Sequence, residues 1–206
     1  MTSLDHLVLA APDLDATVDA VAKALGVTPV AGGRHDGVGT RNYLLGLDER
    51  SYLEIIGIDT EAPTPVHPRP FGLDTLTEPR LAAWLAQVDG IEAAVEAARA
   101  AGFDPGTPRP MSRTTVEGQV LRWKLTAPFA TTGIAVVPYL IDWLDTTHPA
   151  ATLPRVTLRS FEAVHPDPTS VTAALGAIGA EVPVARGVSA GLIAVLDGPA
   201  GSLTLV

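Results

Sequence analysis

The chain has 206 residues, a formal net charge of −9 and no cysteine. That balance argues against nucleic acid or an anionic membrane surface as partner, and it removes disulfides and thiolate chemistry. With 47% hydrophobic and 18% charged residues, the chain can bury a core as one large domain or two small ones rather than stay disordered.

Three units of the same element order follow one another along the sequence. In the first, residues 4–10 are an apolar strand with His6 embedded in it. Pro12-Asp13-Leu14-Asp15 opens a helix, with Asp13 placed to accept amide hydrogens of the first turn. Leu14, Val18, Val21, Ala22 and Leu25 recur at helical spacing, and Gly26 ends the helix. Residues 27–30 read as a short second strand. Gly32, Gly33 and Gly37 then suggest a flexible loop around Arg34 and His35, before strands at 40–45 and 51–58.

A Pro-rich connection, 62–70, leads to the second unit. It has a strand at 81–88, a helix at 91–101 closed by Gly102, strands at 114–116 and 119–125 turning at Glu117-Gly118, and a fourth strand at 135–143. The third unit is shorter: a strand at 155–164, a helix opened by Asp167-Pro168 and running to about 178, and strands at 182–185, 191–196 and 202–206. The expected fold is therefore α+β, built of repeated β-α-β-β-β modules, with curved mixed sheets forming a cleft and helices outside. Residues 1–150 hold two paired modules (1–60 and 78–146), and 151–206 form a third that packs on the same domain.

Titratable side chains inside apolar strands are costly to bury unpaired. His6 on the first strand and Glu54 on the fourth therefore suggest one shared pocket. A buried strand histidine bonded to Glu54 is the plainer reading of His6. Arg41, on the strand beside Glu54, either holds that carboxylate or binds a substrate carboxylate bidentately. His35 either lids the cleft or is a solvated loop residue. His67, His148 and His165 each precede a proline in connecting segments, and His148 is near enough to the fourth strand to reach the cleft. Trp84, Trp123 and Trp143 are core or cleft lining. No H-E-x-x-H motif and no strand-following G-x-G-x-x-G is present, so no nucleotide cofactor is expected.

Leu4-Asp5-His6-Leu7-Val8, Gly39-Thr40-Arg41-Asn42, Tyr52-Leu53-Glu54-Ile55-Ile56, and Asp142-Trp143 with His148-Pro149 together resemble the vicinal oxygen chelate superfamily, in its glyoxalase-like branch. The resemblance implies two modules curled round a cleft. It also implies a divalent metal held by a first-strand His and a fourth-strand carboxylate of each module. His6 and Glu54 match the first pair, and both, with Arg41, are the implied catalytic residues. The second module offers no His on its first strand and only Asp142 on its fourth, where a one-residue slip of register turns the side chain away from the cleft. Zinc, nickel, manganese or iron is thus the implied cofactor, on His6, Glu54 and Asp142, with no complete four-protein-ligand site expected. The implied pocket takes in His35, Asn42, Trp84, Trp123, Trp143 and His148. Three functions stay open: a lyase, isomerase or dioxygenase acting on a small oxygenated molecule, a non-catalytic binding protein of the drug-resistance type, and an interaction protein with a vestigial cleft. A small-molecule ligand is expected, no nucleic acid or membrane, and a second copy of the chain is a candidate partner. The N-terminus lacks a signal peptide, and no apolar run nears the roughly 20 residues of a membrane span, so a cytoplasmic location is expected.

Overall fold

The computed structural model describes residues 2–35, 37–115, 118–126 and 136–206. Its first unit comprises β1 (Ser3–Ala11), α1 (Leu14–Leu25), β2 (Val30–His35), β3 (Thr40–Gly46) and β4 (Tyr52–Ile58). The second comprises β5 (Arg80–Gln87), α2 (Ile91–Ala100), β6 (Pro108–Thr114), β7 (Val120–Thr126) and β8 (Tyr139–Asp142). The third comprises β9 (Thr157–His165), α3 (Pro168–Ala177), β10 (Val184–Arg186), β11 (Gly191–Gly198) and β12 (Gly201–Leu205).

The strands of the first two units close into one barrel in the order β1-β4-β3-β2-β6-β7-β8-β5, and the third unit forms a separate sheet, β10-β9-β11-β12. The expected cleft is thus the interior of a barrel. Within each module the first and fourth strands run parallel, β1 with β4 and β5 with β8, and β1 and β5 join the modules antiparallel.

Side chains alternate across each strand. Val8, Ala10, Leu44, Ile56, Ala83, Leu85 and Trp123 fill the barrel interior. Leu7, Leu9, Leu53, Ile55, Trp84 and Ala86 point outward onto Leu14, Val18, Val21 and Leu25 of α1, Ile91 and Val95 of α2, and Leu192, Ala194 and Leu196 of the third sheet. Strands β1 and β4 are buried on both faces, which is why they read as unbroken apolar runs rather than alternating ones.

Helix ends follow local chemistry. Asp13 accepts from the Ala16 amide at 3.1 Å, and Gly26 closes α1 at φ 71°. Asp167 caps α3, with Pro168 in its first turn. No helix among the described residues is long and apolar enough to cross a membrane.

Several expected boundaries differ, among them the fourth strand of the second unit, expected at 135–143 and found as β8 at Tyr139–Asp142. Residues 32–35, read as part of a flexible loop, lie in β2, which starts where the short strand expected at 27–30 was to end. A Cβ on Gly33 would lie 2.2 Å from the Thr114 carbonyl oxygen, so glycine is what lets β6 approach and close the barrel seam. The strand β6 lies at Pro108–Thr114, ahead of the expected 114–116, because the residues from Pro108 on pair with β7 instead of forming a lead-in loop. Val116 at the end of the expected strand, Glu117 of the expected turn and Ala135 of the expected fourth strand lie outside the described residues.

Candidate active site

The site begins with an irregularity in β1. Opposite β5 the register skips between Leu4 and His6, so Asp5 is an extra, bulged residue. Bulging brings two neighbouring side chains to one region instead of opposite faces. Asp5 is wholly buried, and its carboxylate accepts from three donors: His6 Nδ1 at 2.6 Å, Trp143 Nε1 at 2.8 Å and His148 Nε2 at 3.1 Å. Burial alone pushes this carboxyl up, but the hydrogen bonds and charges of His148 and His6 outweigh it and hold Asp5 below the usual carboxylate range. Asp5 therefore stays ionised.

The tautomers follow from these partners. His148 Nδ1 accepts the Ala150 amide at 3.2 Å, so its Nε2 carries the hydrogen given to Asp5. His6 gives its Nδ1 hydrogen to Asp5, which leaves Nε2 to face Glu54 Oε2 at 3.6 Å. That separation is too long for a hydrogen bond and leaves both atoms able to engage a ligand. The His6 ring stacks on Tyr52, centroids 4.6 Å apart, as the pairing of those residues across β1 and β4 dictates. Burial, then the charges of Asp5 and Glu54, raise the Tyr52 phenol well above its ordinary value, so it remains a neutral O–H.

Glu54 is held from the other side. Its Oε1 accepts from Asn42 Nδ2 at 2.5 Å, and His35 Nε2 lies 3.8 Å from the same oxygen. His35 is oriented by Thr40 Oγ1, 2.9 Å from its Nδ1. The remaining wall is mostly apolar: Phe71, Leu85, Met111, Trp123, Leu125, Ile141 and Trp143 line it, and Arg113 is the cation among them.

Of the residues expected here, His6, His35, Asn42, Glu54, Trp123 and Trp143 line the pocket, and His148 stands behind it on Asp5. Three do not. Arg41 leaves β3 on the face opposite Asn42, and its guanidinium donates to both oxygens of Asp15 on α1, at 2.8 and 2.9 Å, rather than to Glu54. Trp84 points outward from β5, donates Nε1 to the Val136 carbonyl and packs edge-on against Phe161 of β9. Asp142 is turned away by strand alternation: Ile141 takes the pocket side. Asp142 Oδ2 instead accepts the amides of Gly90 and Ile91 at 2.9 and 3.1 Å, capping α2 from across the sheet. Asp5, Tyr52 and Arg113 belong to the pocket region without having been singled out. The adjacent acid and base of Asp5-His6, inside an apolar strand, was the one visible signal.

The registers show which residues replace a metal set in the second module. His6 pairs with Tyr52 and Val8 with Glu54 across β1 and β4, as Leu85 pairs with Tyr139 and Gln87 with Ile141 across β5 and β8. Leu85 thus stands where His6 does, and Ile141 where Glu54 does. Neither can ligate a metal.

The model of the glyoxalase-like domain family matches residues 4–179. The chain belongs to the glyoxalase-like domain family. This glyoxalase-like protein has the vicinal oxygen chelate fold that its sequence resembles. Among solved structures it is similar to a hypothetical protein from Staphylococcus aureus, with a TM-score of 0.71 at 13% identity, over 93% of this chain and 88% of that one. It is also similar to methylmalonyl-CoA epimerase from Mycobacterium tuberculosis, with a TM-score of 0.47 at 20% identity, over 68% of this chain and 87% of that one. The methylmalonyl-CoA epimerase of Streptomyces coelicolor matches with a TM-score of 0.48 at 19% identity, over 72% of this chain and 99% of that one. No curated protein sequence matches the chain. The divalent metal implied by the fold does not fit as a four-ligand set here, because the second pair is Leu85 and Ile141. Among the described residues, no group of three or more His, Asp or Glu side chains is arranged to hold an ion.

Proposed function

We propose that this glyoxalase-like protein is an enzyme of the isomerase or lyase type that moves a proton on a small oxygenated organic molecule. One observation carries the reading: the buried array Asp5–His6–Glu54 ends in an apolar pocket, with His6 Nε2 and Glu54 Oε2 3.6 Å apart. An imidazole oriented by a buried carboxylate, with its second nitrogen directed at a cavity, is the arrangement of a general base. His6 Nε2 takes a proton from a carbon next to a carbonyl, and ionised Asp5 stabilises the imidazolium that forms. The same imidazolium, or the protonated form of Glu54, returns the proton to the substrate. Asn42 and Tyr52 hold Glu54 and His6 in place. The pocket supplies the water-poor surroundings in which such charge–charge effects are strong.

The apolar half of the pocket, with Trp123 and Trp143, supports a second reading: a protein that holds a small molecule without altering it. One experiment separates the two. A panel of small ketones, 2-oxo acids and 2-hydroxy acids is incubated with the protein in D2O, and loss of the proton next to the carbonyl or carboxyl carbon is followed by NMR. Exchange by the wild type that disappears in Glu54→Gln and His6→Ala supports the enzyme. Absence of exchange from every compound, or exchange unchanged in both variants, refutes it.

A further inference from the structure

The proton-transferring array occupies one side of the pocket, and a second charged feature occupies another. Arg113, on β6, is 4% exposed and lines the pocket among Met111, Trp123 and Leu125. Its Nη1 donates to the Gly32 carbonyl across the barrel seam. Among the described residues, no carboxylate lies within ion-pair distance of it. A guanidinium offers five N–H donors, and one backbone carbonyl leaves most of them without an acceptor. A buried cation in that condition is expensive unless something anionic reaches it.

A neighbouring group is left unsatisfied. Asn42 is 4% exposed, gives its amide hydrogen to Glu54, and its Oδ1 has no hydrogen-bond partner. The two features adjoin. A Cβ built on Gly32 would lie 2.3 Å from Asn42 Oδ1 and 3.0 Å from Arg113 Nη1, so these atoms are no further apart than those two lengths added. Glycine at position 32 is what makes room for both. A donor-rich cation and an orphan acceptor this close match a carboxylate with a hydroxyl on the neighbouring carbon: oxygens for Arg113, a hydrogen for Asn42.

We infer that Arg113 is the anion subsite of the pocket, and that the ligand is a small carboxylic acid whose apolar or aryl body rests on Trp123, Leu85 and Phe71, with a hydroxyl beside the carboxylate given to Asn42. This inference rests on the proposed function, since it names the substrate class of that pocket. The carbon between carboxylate and body would then be the one whose proton His6 and Glu54 exchange.

The test is isothermal titration of the whole protein with benzoate, phenylacetate and mandelate, each against its amide. The subsite predicts that at least one acid binds wild type ten times or more tightly than its amide, and that mandelate binds more tightly than phenylacetate. It also predicts that the acid preference shrinks to within twofold in Arg113→Met and is kept in part in Arg113→Lys. The acid-against-amide comparison needs no variant, so it stands even if Arg113→Met fails to fold. Equal binding of acid and amide, binding of no acid, or a preference that survives in folded Arg113→Met overturns the assignment. The D2O experiment fails separately. Acid preference without proton exchange leaves Arg113 standing and removes the enzyme. Exchange on neutral ketones without acid preference does the reverse.

Discussion

Replacing Asp5 by Asn tests the centre of the site. The native carboxylate accepts from His6 at 2.6 Å, Trp143 at 2.8 Å and His148 at 3.1 Å, all in a position with no exposure. An amide keeps one acceptor oxygen but points an N–H group at one or more of those donors. Hydrogen bonds to a charged group contribute about 1.5–3 kcal/mol each, and breaking a buried charged partnership costs about 3–5 kcal/mol. With one bond retained by the amide oxygen, the expected loss is about 3–5 kcal/mol. For a chain of this length that corresponds to a melting temperature lower by roughly 6–20 °C. The assay is urea unfolding followed by circular dichroism at pH 7, with thermal melting alongside. Proton exchange should fall as well, at a temperature where the variant is folded, because His6 no longer has an acceptor to fix Nδ1–H and leave Nε2 free. A stability change below about 1 kcal/mol would mean that the three donors are satisfied elsewhere, and the Asp5-centred account of the site would be wrong.

Three further outcomes follow from the geometry. Asp142→Ala should lower stability by about 2–3 kcal/mol in urea unfolding, since it strips the two amides that open α2, and should leave proton exchange by the folded protein intact; loss of exchange at full stability would return Asp142 to the site. Arg41→Met should change stability by less than about 1 kcal/mol, because its bond to Asp15 lies on the surface, with side chains 28% and 67% exposed; a loss of ligand binding in that variant would contradict the outward placement. The pH dependence has a fixed sign: the Asp5 carboxyl is held below its ordinary value of 3.8 in the folded state, so its stabilisation is present above that value and is lost as pH falls through the lower folded one. The stability gap between wild type and Asp5→Asn, measured in urea at several pH values, should therefore be constant near neutrality and narrow only below about pH 4; a gap that closed between pH 8 and 6 would point to the histidines instead.

How much of the site was legible depends on the kind of signal each residue gives. His6 and Glu54 stood out because polar side chains interrupt strands that are apolar on both sides, and β1 and β4 are buried on both faces. Arg41 and Asn42 are adjacent, and nothing local tells which of them faces inward. The pairing of β3 with β2 and β4 makes Asn42 the inner residue. Asp142 and Ile141 pose the same problem on β8, where one step of register exchanges a metal ligand for a helix cap. Arg113 gave no signal because its strand was read as a connection: Pro108, Arg109 and Pro110 resemble a loop until β7 pairs with them.

The sequence by itself determined the three β-α-β-β-β units and the helix caps at Asp13, Gly26 and Asp167, because these rest on periodicity and on local chemistry within a few residues; its strand motifs carried the resemblance to the family and marked His6 and Glu54. Tertiary structure decided what spans the modules. Closure of the barrel through Gly33 and β6 brought Arg113 beside Asn42. The bulge at Asp5 gathered Trp143 and His148 from more than a hundred residues away onto one carboxylate. The parallel registers placed Leu85 and Ile141 where the first module has His6 and Glu54. Which face of a strand is inside, and which distant donor reaches a buried charge, depends on the register of strands brought together only when the chain folds.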